Sequence, residues 1–429
     1  MASNTTSQST PNLKLEKTLA ATVFEAKPAD GPWQKYNFAP ESRTLFPQSV
    51  YKTEGNVENA SFLVSKGEGG PTKLSGKEAL LTLDFGVNTA GMVTLKFGSG
   101  STTGQTVSLS YSESKLFVGR TSDRSMDFFV EDGVLTVPVT PGGIWTCPKP
   151  KMRGAFRYLT IFMETPGTVE LEKVSTYNNM MPSWGDDLRQ YSGFFYSSDD
   201  FANKIWYAGA YTLQIATIPT DTGRRSDWVH NKVGWANDVP SAPEGAIEVL
   251  TDGARRDRSV WSGDRGISEL TNFIALNNKD AVKAGVDWMF EQQTDEGVFP
   301  YACKPIWHYG SDSYHLWTFV ALWNAYIYDG SEGAKDWVRE KWSAFKKGMD
   351  YALAKVDETG LLKVTMPLDW GRHVLQGHNL QVNSLLYFSL EKGSELAREL
   401  MKDDGLADAW LLKAASVKKV ALSNSSPEL

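Results

Sequence analysis

Cysteine is nearly missing from this chain. Cys147 and Cys303 are the only two in 429 residues, too few and too far apart for a disulfide framework or a zinc-type spacing. There is no run of about 18 apolar residues, which excludes a membrane-spanning helix of the usual kind. A basic excess is also lacking: 44 Lys and Arg face 51 Asp and Glu, for a formal charge of -7. Nucleic acid and anionic membranes are therefore not expected as main partners. The segment Met1 to Thr18 is polar, without the charged start and apolar core of a secretion signal. A cytoplasmic setting is the expectation, and the sequons at Asn4, Asn59 and Asn424 bear only on a secreted form. Two motifs are absent on inspection. Gly70 to Glu78 has the wrong spacing for a phosphate loop, with Glu after the Lys; no Gly-x-Ser-x-Gly elbow supports a serine hydrolase.

What is present divides in two. Residues 1–25 offer no apolar face and read as a flexible tail. From 26 to 184 the pattern is short strands of period two. Val93, Leu95 and Phe97 alternate with Thr94 and Lys96, and Val107, Leu109 and Tyr111 with Ser108 and Ser110. Segments 79–85, 128–139, 156–163 and 169–176 continue the series, predicting an antiparallel β-sandwich of jelly-roll type. Beyond Ser183, where most of the fifteen Trp lie, helical spacing takes over. Phe201, Ile205, Ala208, Thr212 and Ile215 predict an apolar face behind an N-cap at Ser198. Leu316, Phe319, Val320, Trp323 and Ile327 form a second face; Val338, Trp342, Phe345, Met349 and Ala352 form a third. With patterns near 266–277, 280–293, 378–391, 393–402 and 406–422, about eight helices without intervening strands are expected over 185–429.

One stretch has no periodic explanation. Asp252 to Asp264 carries three carboxylates (Asp252, Asp257, Asp264), three guanidinium groups (Arg255, Arg256, Arg258) and Trp261. Turn signals at both ends make it a loop feeding a helix. Such a density of balanced charge beside an indole suits a sugar-cleaving site, where one carboxyl donates a proton, others hold hydroxyls and a ring stacks on the pyranose. Plainer roles exist: an Asx turn at Asp252, a helix cap at Asp264, or a surface ion-pair cluster. Asp257 carries a chemical tension. Its neighbours Arg256 and Arg258 would favour the ionised form, whereas a general acid starts protonated. Burial or a neighbouring carboxylate would offset them, and so would Arg side chains turned elsewhere. Trp307 and Trp370 sit beside Pro305 and Gly371, off the helical stripes. His308 and His315 lack partners at metal spacing, so no metal or other cofactor is expected.

The stretch resembles the signature of the α-L-rhamnosidases of glycoside hydrolase family 78. Asp312 to Trp317, and Asp369-Trp370-Gly371 followed by Asn383, extend the resemblance. It implies a β-sandwich followed by an (α/α)6 barrel, and a terminal rhamnosyl glycoside as substrate, cleaved with inversion. On the positions that match, Asp257 would be the general acid, a place where many members carry Glu. Asp252, Arg256, Trp261 and Asp264 would hold the sugar, with Trp307, His308, Asp312, Trp317, Asp369 and Trp370 as further substrate contacts. The family's general base is a Glu on a late barrel loop, which motif order would place beyond Leu429. Eight helices instead of twelve give the same expectation of a barrel lacking its last part. Such a chain would expose Phe201, Ile205 and Ile215 at one edge and Leu406, Trp410, Leu411 and Val417 at the other. It would be inactive alone and prone to aggregate. A carbohydrate-binding protein without hydrolysis and an (α/α)6 enzyme for another sugar are the competing readings.

Overall fold

The computed structural model describes residues 30–64, 70–123, 133–225, 237–370 and 375–424. The expected tail, Gly371 and residues 128–132 of one expected strand lie outside them. The first part is built from β1 (Thr44–Leu45), β2 (Ser49–Glu58), β3 (Thr72–Phe97), β4 (Thr106–Ser112), β5 (Leu135–Pro138), β6 (Ile144–Thr146), β7 (Ala155–Phe162) and β8 (Thr168–Asn178). They run in the order β1-β8-β3-β7-β4-β5, with β2 and β6 also on β3. The pairings are antiparallel except β3 with β8, which is parallel. β3 is long enough to serve several partners because its register with β7 breaks between Asp84 and Thr89, where Gly86 takes φ +79°.

Val93, Leu95 and Phe97 are buried as period two requires. β4 departs from it: Ser108 and Ser110 are buried along with Val107, Leu109 and Tyr111. The Ser108 hydroxyl donates to Glu164 and that of Ser110 to the Gly119 carbonyl, so the polar face is covered and satisfied. The passage to the helices is tied by Arg43. Its guanidinium donates to the carbonyls of Asn178, Met180, Met181, Trp184 and Gly185.

Seven α-helices lie among the described residues: α1 (Asp200–Ala216), α2 (Ser262–Thr271, continued by a π turn Asn272–Leu276), α3 (Lys279–Glu291), α4 (Asp312–Asp329), α5 (Glu332–Leu353), α6 (Leu380–Glu399) and α7 (Asp404–Asn424). The patterns at 378–391 and 393–402 prove to be one helix. Gly393 does not break it but lets α6 close on α7, for a Cβ there would stand 3.0 Å from the Trp410 ring. The expectation of no intervening strands also fails. β9 (Thr217–Pro219) pairs antiparallel with β10 (Glu248–Leu250), and β10 delivers the chain to Asp252.

α1 is capped by Asp199, not Ser198, and it faces the other way round. Asn203, Tyr207, Ala210 and Gln214 are buried, while Phe201 and Ile205 are 70% and 55% exposed. Polar burial holds because Gln214 accepts from Tyr191 and donates to the Leu188 carbonyl. At the expected edges, Ile215, Trp410 and Val417 are in fact buried, and Leu411 is exposed. α5 buries Val338, Phe345, Met349 and Ala352 as its spacing predicts.

Candidate active site

The loop from β10 to α2 is closed by its own backbone. The Asp252 N–H donates to the Ser259 carbonyl (3.1 Å), and the Ser259 N–H donates to Asp252 Oδ1 (3.0 Å). Between them the chain turns through two consecutive left-handed residues, Asp257 (φ +54°) and Arg258 (φ +51°). For residues with a Cβ this conformation costs of order 1 kcal/mol or more each, and it persists only where the surroundings impose it.

The surroundings are visible. Arg258 is completely buried and meets no carboxylate in its bonds: Nε donates to the Thr222 carbonyl (2.8 Å), Nη2 to the Thr222 hydroxyl (2.7 Å), and Nη1 to the Ala254 carbonyl. Its pKa is pushed down to about 9, by burial first and then by Arg224. Arg255 turns the opposite way, into the sheet region, and pairs with Asp123 (2.6 Å) and Glu113 (3.1 Å). Of the three arginines in the stretch, Arg256 stands beside Asp257, at 3.7 Å. The expected tension at the acid is thus eased on the side of Arg258, which turns elsewhere, and kept on the side of Arg256.

Burial raises the Asp257 carboxyl above its ordinary range, against the pull of Arg256 and Arg224. Asp252 is driven up further, by burial and then by the charge of Asp257. Asp264 is also raised by burial, while a hydrogen bond from Tyr314 (2.9 Å) works in the other direction. Asp264 is not a cap. It lies in the first turn of α2, whose N-cap is Trp261.

An aromatic wall stands over these carboxyls. Trp261 meets Tyr301 edge-on at 4.7 Å and Tyr314 at 6.3 Å; Tyr301 meets Tyr314 at 4.5 Å. The Trp261 indole N–H is buried and has no acceptor among the described residues. Gly263 makes the arrangement possible, because a Cβ there would lie 2.4 Å from the Tyr314 ring. The charges of Asp264, Asp369 and Asp257 all act on Tyr301, whose hydroxyl is pushed up to about 12, chiefly by burial. Asp369 therefore belongs to the cluster. Its Oδ1 accepts from the Trp370 N–H, and Trp370 itself is 63% exposed.

Other expected contacts lie differently. Trp307 is exposed, with Lys304 over its ring, and His308 pairs through its backbone with Ala302 while its ring lies 5.9 Å from Tyr301. His308 borders the wall. Asp312 and Trp317 do not join the carboxyl cluster. Asp312 is buried, ion-paired to Lys355, and accepts from the Thr365 and Met366 N–H groups, so its lone pairs serve the fold. Trp317 packs over Gly266 in the seam between α2 and α4. His315 is buried as a neutral ring, its Nδ1 accepting from the Phe299 N–H.

Sequence reasoning missed Tyr301, Tyr314 and Arg224. Tyr314 was within reach, since it stands three residues before Trp317 on one face of α4. Tyr301 lies in a loop and left no periodic signal.

Residues 242–423 match the family model of the bacterial alpha-L-rhamnosidase 6 hairpin glycosidase domain. Among solved structures, the chain is similar to a rhamnosidase from Klebsiella oxytoca with rhamnose bound. The TM-score is 0.64 at 17% identity, covering 92% of this chain and 73% of that one. It is similar also to the GH78 family rhamnosidase of Bacillus sp. GL1 (TM-score 0.61, 17% identity, 84% of this chain and 33% of that one). A third is the Streptomyces avermitilis alpha-L-rhamnosidase complexed with L-rhamnose (0.57, 15% identity, 90% and 32%). No curated protein sequence matches the chain. Within the helical region, residues 242–423 are thus similar to a glycosidase domain of the six-hairpin class. The chain as a whole is similar in fold to these α-L-rhamnosidase structures, and it spans about a third of the length of the second and third of them.

Proposed function

We propose that this chain provides the acid half of a site that removes terminal α-L-rhamnose from glycosides with inversion of configuration. The observation that carries the reading is the gathering of Asp252, Asp257 and Asp264 under an aromatic wall whose indole N–H has no acceptor among the described residues. A buried donor left without a partner is costly unless a ligand supplies one, and a sugar hydroxyl is a fitting acceptor. Asp257 is the group for the proton. Burial favours its neutral form, and protonation of the departing oxygen leaves a carboxylate that Arg256 and Arg224 stabilise as it appears.

Asp252, Arg256, Trp261 and Asp264 would hold the sugar, joined by Asp369, Tyr301 and Tyr314. The rhamnose named in two of the similar structures is the basis for choosing that sugar. Inversion requires a second carboxyl about 6.5–9.5 Å from the first, across the ring, to activate water. We assign that part to a Glu of a later barrel loop. The same reading takes 26–184 as a β-sandwich of jelly-roll type and 185–429 as part of an (α/α)6 barrel.

The test is a panel of aryl glycosides with proton NMR of the released sugar. Preference for the α-L-rhamnoside with β-rhamnose as first product supports the proposal. Rhamnose binding in calorimetry without turnover would mark a binding protein, and a stronger response to another aryl glycoside a different enzyme.

A further inference from the structure

The acid loop does not depend on the helical region alone. Arg255, two residues before Asp257, sends its guanidinium into the sheet region, with Nη1 on Asp123 Oδ1 (2.6 Å) and Nε on Glu113 Oε2 (3.1 Å). Asp123 is itself fixed to β4 and its end and to the segment leading into β7. Its N–H donates to the Tyr111 carbonyl (3.0 Å), its Oδ2 accepts from the Glu113 N–H (2.9 Å), and its Oδ1 also takes Arg153 Nη2 (2.6 Å). Arg153 has no exposed side chain, and Asp123 has 7% of its own. Next to Arg153, Gly154 in a left-handed conformation (φ +85°) lies so close to the acid loop that a Cβ would stand 2.1 Å from the carbonyl oxygen of Ala254, one residue upstream of Arg255. On the other side Arg258 draws the same Ala254 carbonyl toward Thr222.

From this we infer that Asp123, with Glu113, is a positioning residue for the general acid: the sheet region grips Arg255 and thereby sets where Asp257 points. The inference rests on the acid role given to Asp257 above. The physical need is specific. Two successive left-handed residues tend to relax, and the anchors at Ala254 and Arg255 on one side and at Arg258 on the other hold the short arc between them. A buried pair of this kind is weak evidence for stability but a strong geometric constraint, since its partners have nowhere else to go. The sheet region is then a working part of the site and not only a neighbour.

The experiment compares Asp123→Asn and Glu113→Gln with the unchanged full chain, measuring kcat and KM on an aryl α-L-rhamnoside, Tm, and hydrogen exchange at the Asp252 and Ser259 amides. A misaimed acid costs transition-state stabilisation more than ground-state binding. For Asp123→Asn, kcat is expected to fall on the order of 10- to 100-fold while KM changes little. Exchange at the two loop amides should quicken while amides of α5 stay protected. A merely structural role would lower Tm and the active fraction but leave kcat per folded molecule and the KM against kcat split unmoved. That result, or unaltered loop exchange, would overturn the inference. If Asp123→Asn does not fold, Glu113→Gln, which removes the weaker of the two contacts, carries the same comparison. No turnover on any aryl glycoside by a form that also carries the general-base loop would count against the function proposed above. The loop exchange would still decide for or against the grip of Asp123 on Arg255.

Discussion

The hydroxyl of Tyr314 donates to Oδ2 of Asp264 across 2.9 Å, joining the first turn of α4 to the first turn of α2 at the floor of the site. This bond favours the charged form of Asp264, while burial and Asp257 oppose it. From the other elements Arg256, Asp252, Tyr301 and Asp369 complete the set of titratable groups around the two residues. In Tyr314→Phe the Asp264 pKa should rise further. Sugar affinity should then be lost at a higher pH on the acid side, and at neutral pH should weaken because the Asp264 carboxylate is no longer oriented by Tyr314. Calorimetric titration with rhamnose between pH 4 and 7 measures both.

Gly263 is tied to that bond by contact. Adding a methyl in Gly263→Ala would place carbon 2.4 Å from the Tyr314 ring and push the ring out of the seam. Overpacking of this kind costs about 1–3 kcal/mol. The expected result is a lower Tm together with weaker rhamnose binding. The neighbouring Gly266→Ala, which meets Trp317, should lower Tm without the same effect on the sugar.

Asp312 separates a fold role from a ligand role. Its carboxylate is filled by Lys355 and by two backbone N–H groups, so Asp312→Ala leaves a buried ammonium unpaired and should cost about 3–5 kcal/mol. Molecules that remain folded should bind rhamnose as tightly as before. A fall in affinity with an unchanged Tm would return Asp312 to the list of sugar ligands.

Glu269 gives the chain a pH-dependent stability. It is buried in α2 beside Arg265 at 2.7 Å, and burial raises it to about 7 against an ordinary 4.5. Because the folded form holds the proton more tightly than the unfolded, the fold is favoured below pH 4.5. That advantage is lost as pH rises toward 7, on the order of 3 kcal/mol across the window. Tm should therefore fall over this range. Glu269→Gln, whatever it does to absolute stability, should flatten the contribution of this group to the slope.

How much of this could be read from the chain depended on the reach of each interaction. α5 was legible because its core face follows from local spacing, and the loop feeding a helix at 252–264 because turn signals and charge lie together in thirteen residues. α1 was read on the wrong face because its burial rests on partners outside the helix. Gln214 is satisfied by Tyr191 and Leu188, and Asn203 by Ser197, so polar residues go inside while Phe201 faces out. The same applies within the site. Three arginines among three Asp residues looked like one electrostatic cluster, yet Arg255 is claimed by Asp123, 132 positions away, and Arg258 by Thr222. Nothing in a window of a dozen residues announces such a partner.

The central claim is that Asp257 delivers the proton. Its most direct test is Asp257→Asn in the full chain, comparing turnover of an aryl α-L-rhamnoside having a poor leaving group with one having a good leaving group. Proton delivery contributes about 10²- to 10⁴-fold to rate where the leaving group needs it. The account predicts a loss of that size on the poor leaving group and a much smaller loss on the good one, with rhamnose affinity retained. Near-normal turnover of both substrates by Asp257→Asn would contradict it.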